Sequence, residues 1–228
     1  VAVLQHSGSV NVKQFGAIPD WDGATGRDNT LNIQAALDAK SGNNSYLSFP
    51  DGAYRFTAPL TFHKSRVTGY GATLIKDFDG VGITVSGGAY FSTIKGLALT
   101  SSPAQTATDY DGSATAHGFY LNAGTRLNWK DVSSSGHKGA GLYFSATGGN
   151  ANHTRIDNCY FASNSLAGVY LTGNYPTSDD ASVWKLDLRL FKNYGHNLYT
   201  TSGIRLRQCE IVIAAEDGLF GASAGTAP

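Results

Sequence analysis

The sequence predicts an all-β chain wound as a parallel β-helix, a solenoid with a helix closing its amino-terminal end. Three observations carry this. A four-residue segment of one shape recurs five times, as Gly82-Ile83-Thr84-Val85, Gly118-Phe119-Tyr120-Leu121, Gly141-Leu142-Tyr143-Phe144, Gly168-Val169-Tyr170-Leu171 and Gly203-Ile204-Arg205-Leu206. The starts lie 36, 23, 27 and 35 residues apart, so a unit of roughly 20 to 27 residues repeats with insertions in two turns. Within each segment the second and fourth residues are apolar and the third is Thr84, Tyr120, Tyr143, Tyr170 or Arg205, the alternation of a strand with one buried face. Strands this short bury an apolar face only when stacked in register. An antiparallel sandwich is the alternative for a Gly-rich β chain, but hairpin strands have no reason to repeat one outward column.

The elements follow in order. A short strand is expected over residues 10 to 15. Asp28-Asn29-Thr30 then gives a helix-start signal, and Leu31, Ile33, Ala36 and Leu37 keep helical spacing up to Ser41-Gly42. Residues 1 to 45 therefore form the amino-terminal strand and a helix that plugs the open end of the solenoid, where a bare first coil would leave core and strand edge exposed. Residues 46 to 220 supply the coils. A second apolar column reads Ile94, Leu97, Leu99; Leu127, Lys130, Val132; Ile156, Cys159, Phe161; and Val183, Leu186, Leu188, with Trp129 turning inward where Lys130 breaks the pattern. Residues 221 to 228 read as a flexible tail or a truncation point, and the absence of Met marks an excised or processed segment.

Composition narrows the function classes. The 228 residues are 41% hydrophobic and 15% charged, with 17 basic against 17 acidic residues and no run of Lys or Arg. Nucleic acid and anionic membrane are poor partners for such a chain, and no apolar run suggests membrane insertion. The abundance of Gly, Tyr, Asn, Ser and Thr suits a surface that meets neutral or weakly charged polar ligands such as glycans. Cys159 and Cys209 are expected as free thiols, with Cys159 facing the core. The six His show no ligand spacing, so neither a metal nor a cofactor is expected.

Residues 10 to 17 (Val-Asn-Val-Lys-Gln-Phe-Gly-Ala), Asp20 and Asp22, Asp28-Asn29-Thr30 with residues 33 to 37 (Ile-Gln-Ala-Ala-Leu), and residues 49 to 54 (Phe-Pro-Asp-Gly-Ala-Tyr) resemble the opening of the pectate-lyase-like β-helix superfamily. More narrowly they are similar to bacteriophage tailspike depolymerases. The resemblance implies a right-handed β-helix, a homotrimer, a place on the virion tail, and cleavage of a bacterial surface polysaccharide (capsule or O-antigen) by hydrolysis or elimination. The motif serves folding, so it fixes architecture and not substrate. A structural or receptor-binding module without catalysis, and a secreted cell-wall glycan enzyme, stay open beside it.

Glycan chemistry directs attention to tyrosines and carboxylates. Tyr120, Tyr143 and Tyr170 fall on one outward column about 4.8 Å apart, with Arg205 next, and such a stripe can stack sugar rings or form a protein interface. Glycoside hydrolysis needs two carboxyl groups. The second column places Ala98, Asp131, Tyr160 and Asp187 outward, with Asp131 and Asp187 about 9.5 Å apart, near the upper end of an inverting pair at ~6.5 to 9.5 Å. Asp157 lies in the adjacent turn and pairs with either, so Asp131, Asp157 and Asp187 are the catalytic candidates. Two insertions add Asp109, Tyr110, Asp111 and His117, and Tyr175, Asp179 and Asp180 before Trp184, which joins the glycan-binding set. Elimination instead points to Lys130, Lys185, Arg189 or Arg205 as the cation and His137 or a Tyr as the base. Solvated surface aspartates and ordinary turn formers are the plain alternatives for every Asp named.

Overall fold

The computed structural model describes residues 10–40, 46–63, 66–85, 92–111, 115–122, 127–145, 151–173, 180–182, 185–201, 205–207, 209–216 and 221–222. These form a right-handed parallel β-helix with three faces, in which every recorded strand pair is parallel. The first face runs through Val10–Asn11, Leu47–Ser48, Arg66–Thr68, Thr93–Lys95 and Asn128–Lys130. The second runs through Gly52–Phe56, Ala72–Lys76, Ala98–Ser101 and Ser133–Ser135. From Arg155–Ala162 onward one long strand serves both, as do Lys185–Phe191 and Glu210–Glu216. The third face stacks Leu60–Phe62, Ile83–Val85, Phe119–Asn122, Ala140–Ser145, Ala167–Thr172, His196–Thr200 and Gly221–Ala222. A short outer ribbon pairs Ala151–Asn152, Asp180–Ser182 and Arg205–Arg207.

The core is a set of apolar columns parallel to the axis. Val67, Ile94, Trp129, Ile156 and Leu186 stack on the first face, and Phe119, Leu142 and Val169 on the third. All of these are buried, and each fully buried side chain of this size stabilises by about 1.5–3 kcal/mol. A void in this core measures ≈ 10 Å³, is apolar, and is lined by residues such as Leu121, Phe144 and Leu186, about the least that a water needs.

The recurrent glycine has a packing cause. At the corner leading into the third face, His137, Asn164 and Asn193 point inward as a polar ladder: the His137 N–H donates to Asn164 Oδ1 (3.1 Å), Asn164 Nδ2 to Asn193 Oδ1 (3.0 Å) and Asn193 Nδ2 to Asn197 Oδ1 (2.9 Å). A Cβ on Gly141 or Gly168 would lie 2.7 Å from the Nδ2 of Asn164 or Asn193 respectively. Only glycine leaves room there.

Helix Thr30–Lys40 closes the end, burying Ile33, Ala36 and Leu37 while Leu31 faces outward at 83% exposure. Asp28 supplies the helix-start contact through Oδ1, which accepts the Thr30 N–H at 3.0 Å. Asn29 is spent otherwise: its side chain accepts from the Ile18 N–H (2.7 Å) and donates to the carbonyls of Ile18, Arg27 and Arg55. The opening motif is thus a folding device, as its resemblance implied.

Two register expectations are corrected. The strand that follows Ala167–Thr172 on the third face is His196–Thr200, not the segment 203–206; Tyr199 pairs with Tyr170, whereas Arg205 pairs with Asp180 on the outer ribbon. On the second face the outward column is Ala98, Ser133, Tyr160 and Arg189, so Asp131 and Asp187 do not share it. The cause is the corner between the first two faces. Gly96, Asp131 and Asn158 turn it in the left-handed conformation (φ 65, 54 and 50), and the register between Arg155–Ala162 and Lys185–Phe191 shifts there. Trp129, as expected, faces inward at 0% exposure.

Candidate functional site

The outward column of the third face is Thr61, Thr84, Tyr120, Tyr143, Tyr170 and Tyr199. Parallel in-register pairing repeats one residue type at each coil, and the tyrosine rings respond by stacking. Tyr120 and Tyr143 have centroids 5.6 Å apart, Tyr143 and Tyr170 4.8 Å, and Tyr170 and Tyr199 4.7 Å, with interplanar angles of 21°, 10° and 27°. Ring faces are therefore turned to one another, and what the column offers outward is ring edges and hydroxyls. The four phenols have no hydrogen-bond partner among the described residues, and none is sealed from solvent. Burial, with Tyr120 second, raises the pKa of Tyr143; burial, followed by Tyr143, Tyr199 and Tyr110, raises that of Tyr170.

The insertion after Ser101 forms one wall of this column. Ala107 N–H donates to the Gly136 carbonyl (3.0 Å) and Asp111 N–H to Ser165 Oγ (2.5 Å), which lays the segment along successive corners. Tyr110 there is 55% exposed, packs against Gly195 and reaches the neighbourhood of Tyr170. His117, where the insertion ends, stacks on Tyr143 at 4.3 Å and accepts the Ala140 N–H on Nδ1 at 2.9 Å. Burial, and then Lys76, lower its pKa to about 4, so its ring is neutral at pH 7. Lys76 lies beneath, 1% exposed, donating to the Ala116 carbonyl at 3.4 Å. Its burial lowers its pKa to about 8.

The three candidate carboxylates lie elsewhere, at the corner between the first and second faces, which is turned away from the third. Asp131 accepts from Asn158 Nδ2 (2.7 Å) and, on its other oxygen, from the Tyr70 hydroxyl (3.0 Å); the Asn158 bond foremost holds its carboxyl below the usual range. Asp157 accepts from Arg155 Nη2 at 3.1 Å. Asp187 pairs in the sheet with Val212 on the next coil. These three share one corner on consecutive coils, but the structure does not bring them to the tyrosines.

Tyr199 and His196 belong to the tyrosine column or its flank and were not singled out by sequence, whereas His117 was named with the first insertion and lies on the same flank; His196 stacks on Tyr199 at 4.9 Å. A tyrosine at the fourth position of 196–200 is the signal that would have found the first. His137, a candidate base, is 0% exposed with Nδ1 2.9 Å from Ser101 Oγ, so it cannot reach a surface polymer. Trp184, Tyr175 and Asp179 lie outside the described residues, and of Asp180 and Arg205 only the backbone is described. Cys159 is buried, as expected, and its thiol is raised to about 12 by burial. Among the described residues no group of three or more His, Cys, Asp or Glu is arranged around a metal position, and no helix is long and apolar enough to cross a membrane.

No protein-family model matches the chain, and no curated protein matches it in sequence. Solved structures do resemble it. The ORF18 protein of Geobacillus virus E2 superimposes with a TM-score of 0.64 at 20% identity, over 88% of this chain and 41% of that one. PfbA, a surface adhesin of Streptococcus pneumoniae, gives 0.61 at 14% identity over 88% and 56%. The catalytic unit of a thermostable GH87 alpha-1,3-glucanase from Streptomyces thermodiastaticus gives 0.55 at 16% identity over 92% and 42%. The chain thus spans from two fifths to somewhat over half the length of these proteins. At such identities the likeness carries the fold alone, and it agrees with the parallel β-helix described above.

Proposed function

We propose that this β-helix binds a bacterial surface polysaccharide, capsule or O-antigen, along its tyrosine column, as part of a tailspike-type depolymerase that cleaves the polymer by glycoside hydrolysis. The carrying observation is the row of four unpartnered phenol hydroxyls on Tyr120, Tyr143, Tyr170 and Tyr199, one per coil, walled by Tyr110. A polymer that repeats its polar groups matches a surface that repeats its own. The phenols bond sugar hydroxyls with their tips and edges. The solved structures fit this reading in kind: one belongs to a virus, one is named an adhesin and one a glucanase. Placement on a virion tail, or alternatively secretion, belongs to the same proposal.

For hydrolysis the candidate acids are Asp131, Asp157 and Asp187, on consecutive coils of the corner turned away from the tyrosine column, so a polymer held on the column would have to wrap around the coil to meet them. Asp131, held ionised by Asn158 and Tyr70, suits a base or nucleophile and not a general acid, which needs a raised pKa. Elimination by a tyrosine base is disfavoured, because Tyr143 and Tyr170 are shifted upward, away from neutrality. A second reading, a non-catalytic module whose third face is the seam of a homotrimer, draws on the half-burial of the same tyrosines. Incubation with a panel of capsular and O-antigen polysaccharides, followed by mass spectrometry, decides: fragments that have gained water support hydrolysis, unsaturated ends mean elimination, and intact polymers throughout support the second reading.

A further inference from the structure

The tyrosine column has a reactivity as well as a surface. Parallel pairing sets Tyr143 directly beside Tyr170, with ring centroids 4.8 Å apart and planes 10° from parallel. The second ring is therefore close to the first carried along the axis by one strand spacing, ortho carbon toward ortho carbon. Other neighbours are less well matched: Tyr170 and Tyr199 are tilted by 27°, and Tyr120 stands 5.6 Å from Tyr143, whose ring His117 also meets at 4.3 Å. The hydroxyls of Tyr143 and Tyr170 have no partner among the described residues and are not sealed from solvent, so each has water to take its proton. Both residues are half-buried, within reach of a small oxidant yet recessed, which favours a reaction partner in the same chain over one in another. Loss of an electron and the hydroxyl proton turns a tyrosine into a phenoxyl radical. Its unpaired spin lies in the π system, on oxygen and on the ortho and para carbons, and so is directed from the ring face at a stacked neighbour. The para carbon carries the side chain, which leaves the ortho carbons to couple.

We infer that Tyr143 and Tyr170 form an oxidative modification site, at which a one-electron oxidant acting twice joins their ortho carbons in a dityrosine bond between consecutive coils. Each phenol gives up one electron and its hydroxyl proton, the two radicals form the C–C bond, and each ortho hydrogen then moves to its ring oxygen. In all, two electrons go to the oxidant and two protons to water. The stack makes the coupling effectively unimolecular, and the bond closes the loop from Tyr143 to Tyr170, stabilising the coils by constraining the unfolded chain as a disulfide does. The inference stands on the geometry of the stack and not on the polysaccharide reading. It is tested by illuminating the dilute full chain with tris(bipyridine)ruthenium(II) and persulfate, each persulfate taking up the two electrons and leaving as two sulfates. After thiol reduction the product is a single chain lighter by two hydrogens, fluoresces as dityrosine and melts higher than the parent; the chain has no Met, so sulfoxide does not confuse the mass. Trypsin then releases residues 139–155 joined to residues 156–185, and fragment ions place the bond on Tyr143 and Tyr170. Tyr170→Phe, shown to be folded by circular dichroism, abolishes this joined pair, and the parent treated in concentrated urea scatters its bonds over many tyrosine pairs. Dityrosine formed only between chains, bonds that bypass Tyr143 and Tyr170, the same distribution of bonds with and without urea, or no dityrosine at all overturns the inference. Glycan binding by untreated protein is read separately, so failure of the polysaccharide reading leaves this result unchanged.

Discussion

Tyr143 and Tyr170 stand one coil apart with ring centroids 4.8 Å from each other and planes within 10° of parallel. The spacing is that of the strands themselves, so the pleat imposes the stack. A ring between two others has no free face, which makes its hydroxyl and edge the groups a ligand meets.

Tyr143→Phe therefore separates binding from stability. The stack survives, and unfolding free energy stays within ~0.5 kcal/mol of the parent. Glycan affinity falls about fivefold, the loss of one hydrogen bond of ~1 kcal/mol. Tyr143→Ala removes three stacked contacts, to His117, Tyr120 and Tyr170, and costs about 2–3 kcal/mol. Denaturant titration and calorimetry read both.

Lys76 is a buried cation whose nearest bond is to a carbonyl. Its pKa falls from the ordinary 10.5 to about 8 on folding, so between those values the unfolded chain holds more protons. Stability consequently rises as pH climbs from about 8 to about 10.5, and the burden, on the order of 3 kcal/mol, is full below pH 8. Lys76→Met should be more stable than the parent at pH 7, with a flatter profile above pH 8 in urea titrations.

His117 acts on the acid side. Its pKa drops from 6.5 to about 4, so stability is lost as pH falls from about 6.5 toward 4, where the unfolded chain takes up the proton first. His137, lowered by burial, then by Lys76 and His117, works in the same direction. His117→Gln should reduce the steepness of acid unfolding followed by circular dichroism.

Gly141→Ala introduces a methyl group 2.7 Å from Asn164 Nδ2 and 2.9 Å from the Gly168 carbonyl. Overpacking of this kind costs about 1–3 kcal/mol. The same change at Gly23, where nothing lies within 4 Å of the added carbon but φ is +104, tests backbone strain alone, so the two melting curves separate crowding from conformation.

Asp131→Asn and Asp187→Asn, made singly and together, test the carboxylate corner. Hydrolysis through it predicts a drop of at least a hundredfold in reducing-end release with glycan binding at the tyrosines unchanged. Undiminished cleavage by the double variant removes these residues from the mechanism.

The repeat was legible because a parallel coil shows the same inward and outward positions each time round. Tyr120, Tyr143 and Tyr170 fell on one column as read. Tyr199 is not marked by the repeat because Asn197 stands where Gly168 stands one coil earlier; its side chain joins the internal ladder, accepting from Asn193, so the coil needs no glycine and the Gly signal recurs only at Gly203. The carboxylates were misplaced for a different reason. Asp131 and Asn158 adopt left-handed backbone at a corner, and a residue there belongs to neither alternating face. Counting by twos across it moves every later residue, which is how Asp187 and not Arg189 was expected in the column beside Tyr160.

The most direct measurement follows the tyrosines themselves. Protein carrying ¹³C-labelled tyrosine rings, titrated with oligosaccharides from whichever polysaccharide it recognises, should show shifts concentrated on Tyr120, Tyr143, Tyr170 and Tyr199, while Tyr54, buried behind the opening motif, stays still. Shifts confined to other tyrosines, or signals from the column that broaden with protein concentration and ignore the glycan, would contradict the account and identify the third face as a seam between copies.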